Sequence, residues 1–151
     1  MTVAFVPCEL DHLAGIIPPA EAGVEDTRHN VLGDPGAADL LRVYARALIV
    51  EGRPIAILGI SPRWTAVCYA WAILTEEALV FHPLLVTRET HRLLRHAETS
   101  LGMRRIEASV KVGYGAGIRW IEALGFRLEG VMRNFGPGGV GDFALYARTV
   151  Q

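Results

Sequence analysis

Between Arg105 and Val112 the chain alternates, with Ile106, Ala108, Val110 and Val112 apolar against Arg105, Glu107, Ser109 and Lys111. That is the period of a half-buried strand. Ile118, Ile121 and Leu124 then recur at helical spacing up to Gly125, a residue that takes the left-handed C′ position cheaply. From Phe126 to Arg133 the alternation resumes. Upstream, Thr2–Val6 reads as a strand, Glu9–Ile17 as a helix ended by Pro18-Pro19, and 20–36 as a polar, Gly/Pro-punctuated loop or loose helix. Ala37–Arg46 is a helix running into the strand Ala47–Val50; Glu51-Gly52-Arg53 turns it into a second strand, Pro54–Ile60. Trp64–Leu74 is nearly all apolar, as a central strand covered on both faces should be. Thr75–His82 reads as a short helical insertion opened by Thr75, Glu76 and Glu77. The longest helix is expected from about Arg88 to Leu101, capped by Thr87, with Leu93, Leu94, Ala97 and Leu101 on its apolar stripe. Gly136–Gly139 is a loop tip, where Gly139 should tolerate a β-branched residue as Gly125 would not, and Asp142–Val150 closes the sheet at or near its edge.

The length of 151 residues fits one domain, 1–151, with 51% hydrophobic and 21% charged residues. The longest uncharged apolar run, Trp64–Thr75, is too short to cross a bilayer, and no basic n-region with an apolar core opens the chain. Cys8 and Cys68 stand without ligand-like companions and read as buried reduced thiols, which suits synthesis in the cytoplasm. The net charge of −1 conceals an acidic first third and a basic remainder, with fourteen of the fifteen cations arginine. Arginines along one helix leave room for a partner bearing carboxylates or phosphates.

A strand, a short helix, the Leu124-Gly125-Phe126 stop and a returning strand resemble the C-terminal half of the GCN5-related N-acetyltransferase (GNAT) fold. With the Glu51-Gly52 hairpin and the aromatic-rich last strand, the resemblance covers about 44–150 well and the first forty residues in outline. It implies an α+β (three-layer α/β) architecture: a mixed, mostly antiparallel sheet of roughly six or seven strands flanked by about four helices.

The resemblance also says where acetyl-CoA chemistry should sit. Family members hold the diphosphate on an Arg/Gln-x-x-Gly-x-Gly/Ala loop between the central strand and the long helix, where backbone N–H groups converge at the positive end of the helix dipole. The matching segment, His82–Thr90, contains no glycine and includes Pro83. Should CoA bind, Val86, Thr87, Arg88 and Thr90 are the candidates. The Asn often found before the last helix is replaced by Tyr114, inside Gly113-Tyr114-Gly115-Ala116-Gly117, a run that reads as a tight turn with Tyr114 packed across the sheet opening. The Tyr that commonly protonates the leaving thiolate corresponds to Ile121. Remaining catalytic candidates are His82, Tyr114 and Tyr146, whereas His91 and His96 fall on the polar face of the arginine-rich helix. No metal-ligand spacing is present.

Within the GNAT-like proteins the chain looks most similar to internal virion proteins of short-tailed bacteriophages, through Ile49–Gly59, Ala70–Glu77, Val112-Gly113 and Ile118-Arg119-Trp120. That group also carries a short helical insertion in place of the glycine loop. The expectation is a catalytically degenerate phage structural or assembly component that binds no cofactor, made in the cytoplasm and open to incorporation in a virion. Its partners would be other virion proteins or copies of itself, met through Arg88, Arg92 and Arg95. The alternative is a CoA-dependent N-acyltransferase using acetyl-CoA. Nucleic acid is the weakest partner, because Arg88, Arg92, Arg95, Arg104 and Arg105 lack aromatic interleaving and the chain is not basic overall.

Overall fold

The computed structural model describes residues 2–18 and 36–151; the loop expected at 20–36 therefore lies, apart from Gly36, outside the described residues. In chain order the elements are β1 Val3–Pro7, α1 Leu10–Gly15, α2 Ala37–Tyr44, β2 Ala45–Val50, β3 Arg53–Trp64, β4 Val67–Leu74, α3 Glu76–Phe81, α4 Pro83–Thr99, β5 Arg105–Lys111, α5 Gly115–Ala123, β6 Arg127–Met132 and β7 Phe143–Thr149. The strands form one seven-stranded sheet in the order β1-β2-β3-β4-β5-β7-β6. Neighbours are antiparallel except β4 and β5, which run parallel. The expected architecture is thus observed, with β7 one place in from the edge strand β6.

Two helical layers cover the sheet. On the front, α1 and α2 bury Leu13 and Leu41 against Ala45, Ala47, Ile57 and Ile73. On the back, α3 and α4 cover Leu48, Ile55 and Leu58 through Ala78 and Val86. Further along the same face, Leu94 and Ala97 of α4 and Ile121 of α5 close over Cys68, Ile106 and Tyr146. Each fully buried Leu or Ile in these layers is worth about 1.5–3 kcal/mol, so packing, rather than helix propensity, holds the short helices in place.

Two turns differ in how plainly they are written. Glu51 and Gly52 both have positive φ, 50° and 77°, the conformation of a tight hairpin turn, as Glu-Gly predicts. The strand expected at Trp64–Leu74 is instead broken: β3 continues through Ser61–Trp64 and reverses at Thr65-Ala66. Ala66 accepts φ 63° there, and its carbonyl receives the N–H groups of Arg104 and Arg105. Those two bonds offset a left-handed alanine, so no turn residue was needed.

The long helix also starts earlier than expected, at Pro83 rather than Arg88, with His82 as N-cap. Proline suits the first helical position because the N–H it lacks would be unpaired there anyway. Thr75 ends β4 and opens α3 together: its N–H and hydroxyl both donate to Ile55 O, and the hydroxyl accepts from the Ala78 N–H.

The helix α5 ends as the Leu-Gly-Phe pattern requires. Gly125 has φ 88°, its N–H reaches Glu122 O, and the Phe126 N–H reaches Ile121 O. This is a Schellman closure, with Phe126 and Ile121 both buried in one cluster. Gly139, however, is not the tolerant position expected of a loop tip, because it too has a positive φ, 75°. Gly130, on the edge strand, has an ordinary φ and open space where a Cβ would stand. Gly125→Val should therefore cost about 1 kcal/mol or more, lowering the melting temperature by about 2–4 °C per kcal/mol. Gly130→Val should leave it within about a degree; calorimetric melting of both variants checks the contrast.

Candidate active site

The parallel pair β4 and β5 stays together for only three registers, Val67↔Arg105, Cys68↔Ile106 and Tyr69↔Glu107. Beyond them each strand keeps its outer neighbour. β4 remains paired with β3 as far as Leu74, and β5 with β7 as far as Lys111. The facing edges, 70–74 and 108–111, are left without a strand partner. Unpaired backbone N–H and C=O groups demand other partners, so the two sides of this V-shaped opening are free to form further hydrogen bonds.

A cavity of about 180 Å³ occupies the opening, lined by β4 and β5 and by Tyr114, Gly117, Trp120 and Ile121 of the α5 region. Its walls are mainly apolar. Gly117 shapes it: a Cβ there would stand 2.6 Å from the Tyr114 ring and 3.0 Å from Val110. The Tyr114 ring thus lies against the first turn of α5 beside the opening. Gly59 does the same on β3, where a Cβ would come within 2.4 Å of the Trp71 indole. Trp71 Nε1 donates to Ser61 Oγ at 3.2 Å, which fixes the indole against the cavity wall.

At the apex, where the strands part, Tyr69 Oη and Ser109 Oγ share a short hydrogen bond across the gap. Both residues line the cavity. The Arg63 guanidinium lies 5.1 Å from the Tyr69 ring centroid. Beside them the Glu107 carboxylate is engaged by Arg105 at 2.9 Å and Arg63 at 3.6 Å, and Arg105 continues to Glu129. The pair was missed from sequence. Its signal was the one hydroxyl in the apolar β4 and the hydroxyl in the alternation of β5, but only the register of two distant segments brings them together.

The sequence candidates are distributed as follows. Tyr114 is in the cavity wall. Tyr146 is 3% exposed, under α5, with its hydroxyl donating to Glu122 Oε1 at 3.2 Å. Burial and the Glu122 charge push it above the ordinary phenol value, so it stays a protonated structural donor and does not reach the cavity. His82 joins α3 to α4, giving its N–H to Ala78 O and accepting from the Val86 N–H, away from the cavity lining. The cofactor candidates lie within a helix rather than at its mouth. Val86 is buried, Thr90 Oγ1 donates to Val86 O, and Thr87 is no cap, since its hydroxyl accepts Trp120 Nε1–H at 3.1 Å. Arg88 is exposed one turn on, in a shallow groove with Arg92 and Arg95. Neither cysteine is exposed to a substrate: Cys8 and Cys68 are fully buried, and burial pushes each thiol up to about 11. Among the described residues no cluster suited to a metal ion occurs, and no helix is long and apolar enough to cross a membrane.

No family model and no curated protein matches the chain. Solved structures do. RimL, a ribosomal L7/L12 α-N-protein acetyltransferase solved with coenzyme A, aligns at 19% identity and TM-score 0.67, over 99% of this chain and 94% of its own. An acetyl transferase from Salmonella typhimurium that modifies the N-terminal serine of L7/L12 aligns at 19% and 0.68, over 99% and 96%. The ribosomal-protein-S5-alanine acetyltransferase from Vibrio fischeri aligns at 13% and 0.67, over 97% and 92%. These likenesses overturn the expectation of a catalytically degenerate phage component without a cofactor: all three neighbours are acetyltransferases, and one carries coenzyme A. That expectation rests on missing side chains, whereas the opening between β4 and β5 is made by backbone divergence and is present. At these identities the comparison establishes architecture: the chain has the GCN5-related N-acetyltransferase fold.

Proposed function

We propose that the protein is a CoA-dependent N-acyltransferase that moves an acetyl group onto an amine. The observation that carries this reading is the parting of β4 from β5 after Tyr69↔Glu107. It leaves two strand edges facing an apolar cavity. A pantetheine arm is a flexible apolar chain interrupted by two amides, and such a chain satisfies open strand edges as a third strand would. The arm thus fits the residues present: the backbone of 70–74 and 108–111 would hold it, with Trp120 and Tyr114 in the walls. The cofactor, when bound, supplies an acyl group on a readily displaced sulfur. Transfer forms an N–C bond, breaks a C–S bond and carries one proton from nitrogen to sulfur.

The chain's own groups then have defined work. The apolar walls exclude water that would hydrolyse the thioester. Tyr69 Oη holds a proton at the apex and Ser109 Oγ is its hydrogen-bond partner, so the proton can pass between two fixed hydroxyls. This pair stands in for the tyrosine that Ile121 replaces. Its rigidity comes from strand backbone, from the Arg63 guanidinium over the Tyr69 ring, and from the Glu107–Arg105–Glu129 ion pairs beside it. With the thiols buried, transfer is direct from donor to acceptor.

Acetyl-CoA should bind at micromolar concentration by titration calorimetry and support acetylation of a peptide amine. A bulky side chain in the cavity wall should block it: Ala116 is exposed in the first turn of α5, so Ala116→Trp fills the opening without disturbing the core. That variant should melt as wild type does and bind at least tenfold more weakly. A protein that neither binds acetyl-CoA nor transfers its acetyl group is no acyltransferase.

Tyr69→Phe keeps the ring under Arg63 and removes the proton. Positioned acid–base groups are worth roughly 10²–10⁴ in rate, so kcat should fall by about that factor with the dissociation constant for acetyl-CoA little changed. Steady-state kinetics beside calorimetry separates the two, and an unaltered kcat would remove Tyr69 from the chemistry.

A further inference from the structure

The cavity accounts for the arm of the donor but not for its charged end. Backbone N–H groups that usually receive phosphates at a helix start are scarce here. Pro83 has none, the Val86 N–H is taken by His82 O, and the Thr87 and Thr90 hydroxyls are engaged. The acidic first turn of α3, with Glu76 and Glu77, repels an anion at the other helix start.

Side-chain cations stand nearby instead. Along one face of α4 a groove is lined by Leu84, Thr87, Arg88, His91, Arg92 and Arg95. Among the described residues Arg88 and Arg95 have no ion pair, and Arg92 bonds Glu89 at 2.9 Å. Glu89 also faces Arg46 at 3.7 Å, so one carboxylate is shared by two guanidinium groups and the face keeps a net positive charge. Charges at i, i+4 and i+7 repel one another unless an anion joins them. The groove adjoins the cavity. Trp120, in the cavity wall, donates its indole N–H to Thr87, in the groove wall, at 3.1 Å. From Arg88 to Arg95 the helix rises about 10 Å, enough to meet more than one phosphate of a single nucleotide.

We infer that this groove binds the nucleotide phosphates of the acyl donor, with Arg88 and Arg95 replacing the glycine-loop cradle that 82–90 lacks. Guanidinium groups meet phosphate oxygens in two parallel hydrogen bonds, which gives geometry as well as charge. The inference rests on the acyltransferase reading and reassigns the arginine stripe from a protein partner to the donor itself. It predicts a cofactor grip that is salt-sensitive in a way a neutral N–H cradle is not.

The test is calorimetry of wild type and the Arg88→Gln/Arg95→Gln double variant, its fold checked by circular dichroism, against three probes. These are acetyl-CoA, its dephospho form lacking the 3′-phosphate, and S-acetylpantetheine lacking all phosphates. Wild type should prefer acetyl-CoA to S-acetylpantetheine by about 100-fold, an advantage that shrinks with added salt. The double variant should lose about tenfold or more on acetyl-CoA, less on the dephospho form, and nothing on S-acetylpantetheine. Equal affinity of both proteins for acetyl-CoA overturns the groove and leaves the acyltransferase reading standing. So does an equal loss on all three probes. A wild type that binds none of them overturns both.

Discussion

Everything distinctive in this protein depends on two parallel strands that stop pairing. A parallel ladder between β4 and β5 continued to their ends would bury its polar groups and seal the sheet. Instead it yields after Tyr69↔Glu107. The outer partners hold fast, since β3 and β7 pair along the full length of the diverging segments. The cost of unmade backbone bonds is therefore confined to two short edges, where solvent or a ligand meets it. The Tyr69–Ser109 hydrogen bond lies across the point of parting, and Tyr114, seated on Gly117, lies beside the opening. The cavity is thus a property of the sheet, and side chains only shape it.

The same constraint divides the two faces. On the back, α4 and α5 pack Leu94, Ala97 and Ile121 against the lower half of the sheet, and Trp120 joins the two helices through Thr87. On the front of β4 and β5, Tyr69, Ser109, Glu107 and Arg105 form a polar surface with Arg63 and Glu129. A donor arm lying in the plane of the sheet would have its nucleotide directed toward α4. Its reactive end would lie at the apex, beside the polar front. On the proposed reading, one sheet defect would thereby separate binding from chemistry.

Much of this was legible. The alternation of β5, the Glu51-Gly52 turn, the Thr75 cap and the Gly125 stop each has a local cause, and each appears where its residues place it. Two of the failures share a cause. The Thr65-Ala66 turn uses a left-handed alanine stabilised by N–H groups from Arg104 and Arg105, nearly forty residues away in sequence. Thr87 has the appearance of a cap, but the helix had already begun at Pro83, and its hydroxyl serves Trp120. Gly139 looked like an idle loop glycine and proved to need its positive φ. In the first two, tertiary partners decided what local propensity left open, whereas Gly139 was decided by its own turn, its N–H reaching Gly136 O.

The candidate site was least legible for the same reason. A search by motif asks for particular side chains at particular spacings, and Ile121, Tyr114 and the glycine-free segment 82–90 each failed it. In the proposed reading, however, a donor arm is met by main-chain groups, which any sequence compatible with the strand can present. Proton handling, on the same proposal, is a question of which hydroxyl reaches the apex, and Tyr69 with Ser109 stands there from a direction the motif does not sample. Losing a tyrosine from α5 is then tolerable, because the apex can be approached from either strand that forms it. What the loss constrains is position: a hydroxyl carried on strand backbone cannot swing away as one on a helix end can, so it must be set correctly by register. The three pairs of β4 and β5 set that register, so the proposed chemistry would depend on the length of the ladder.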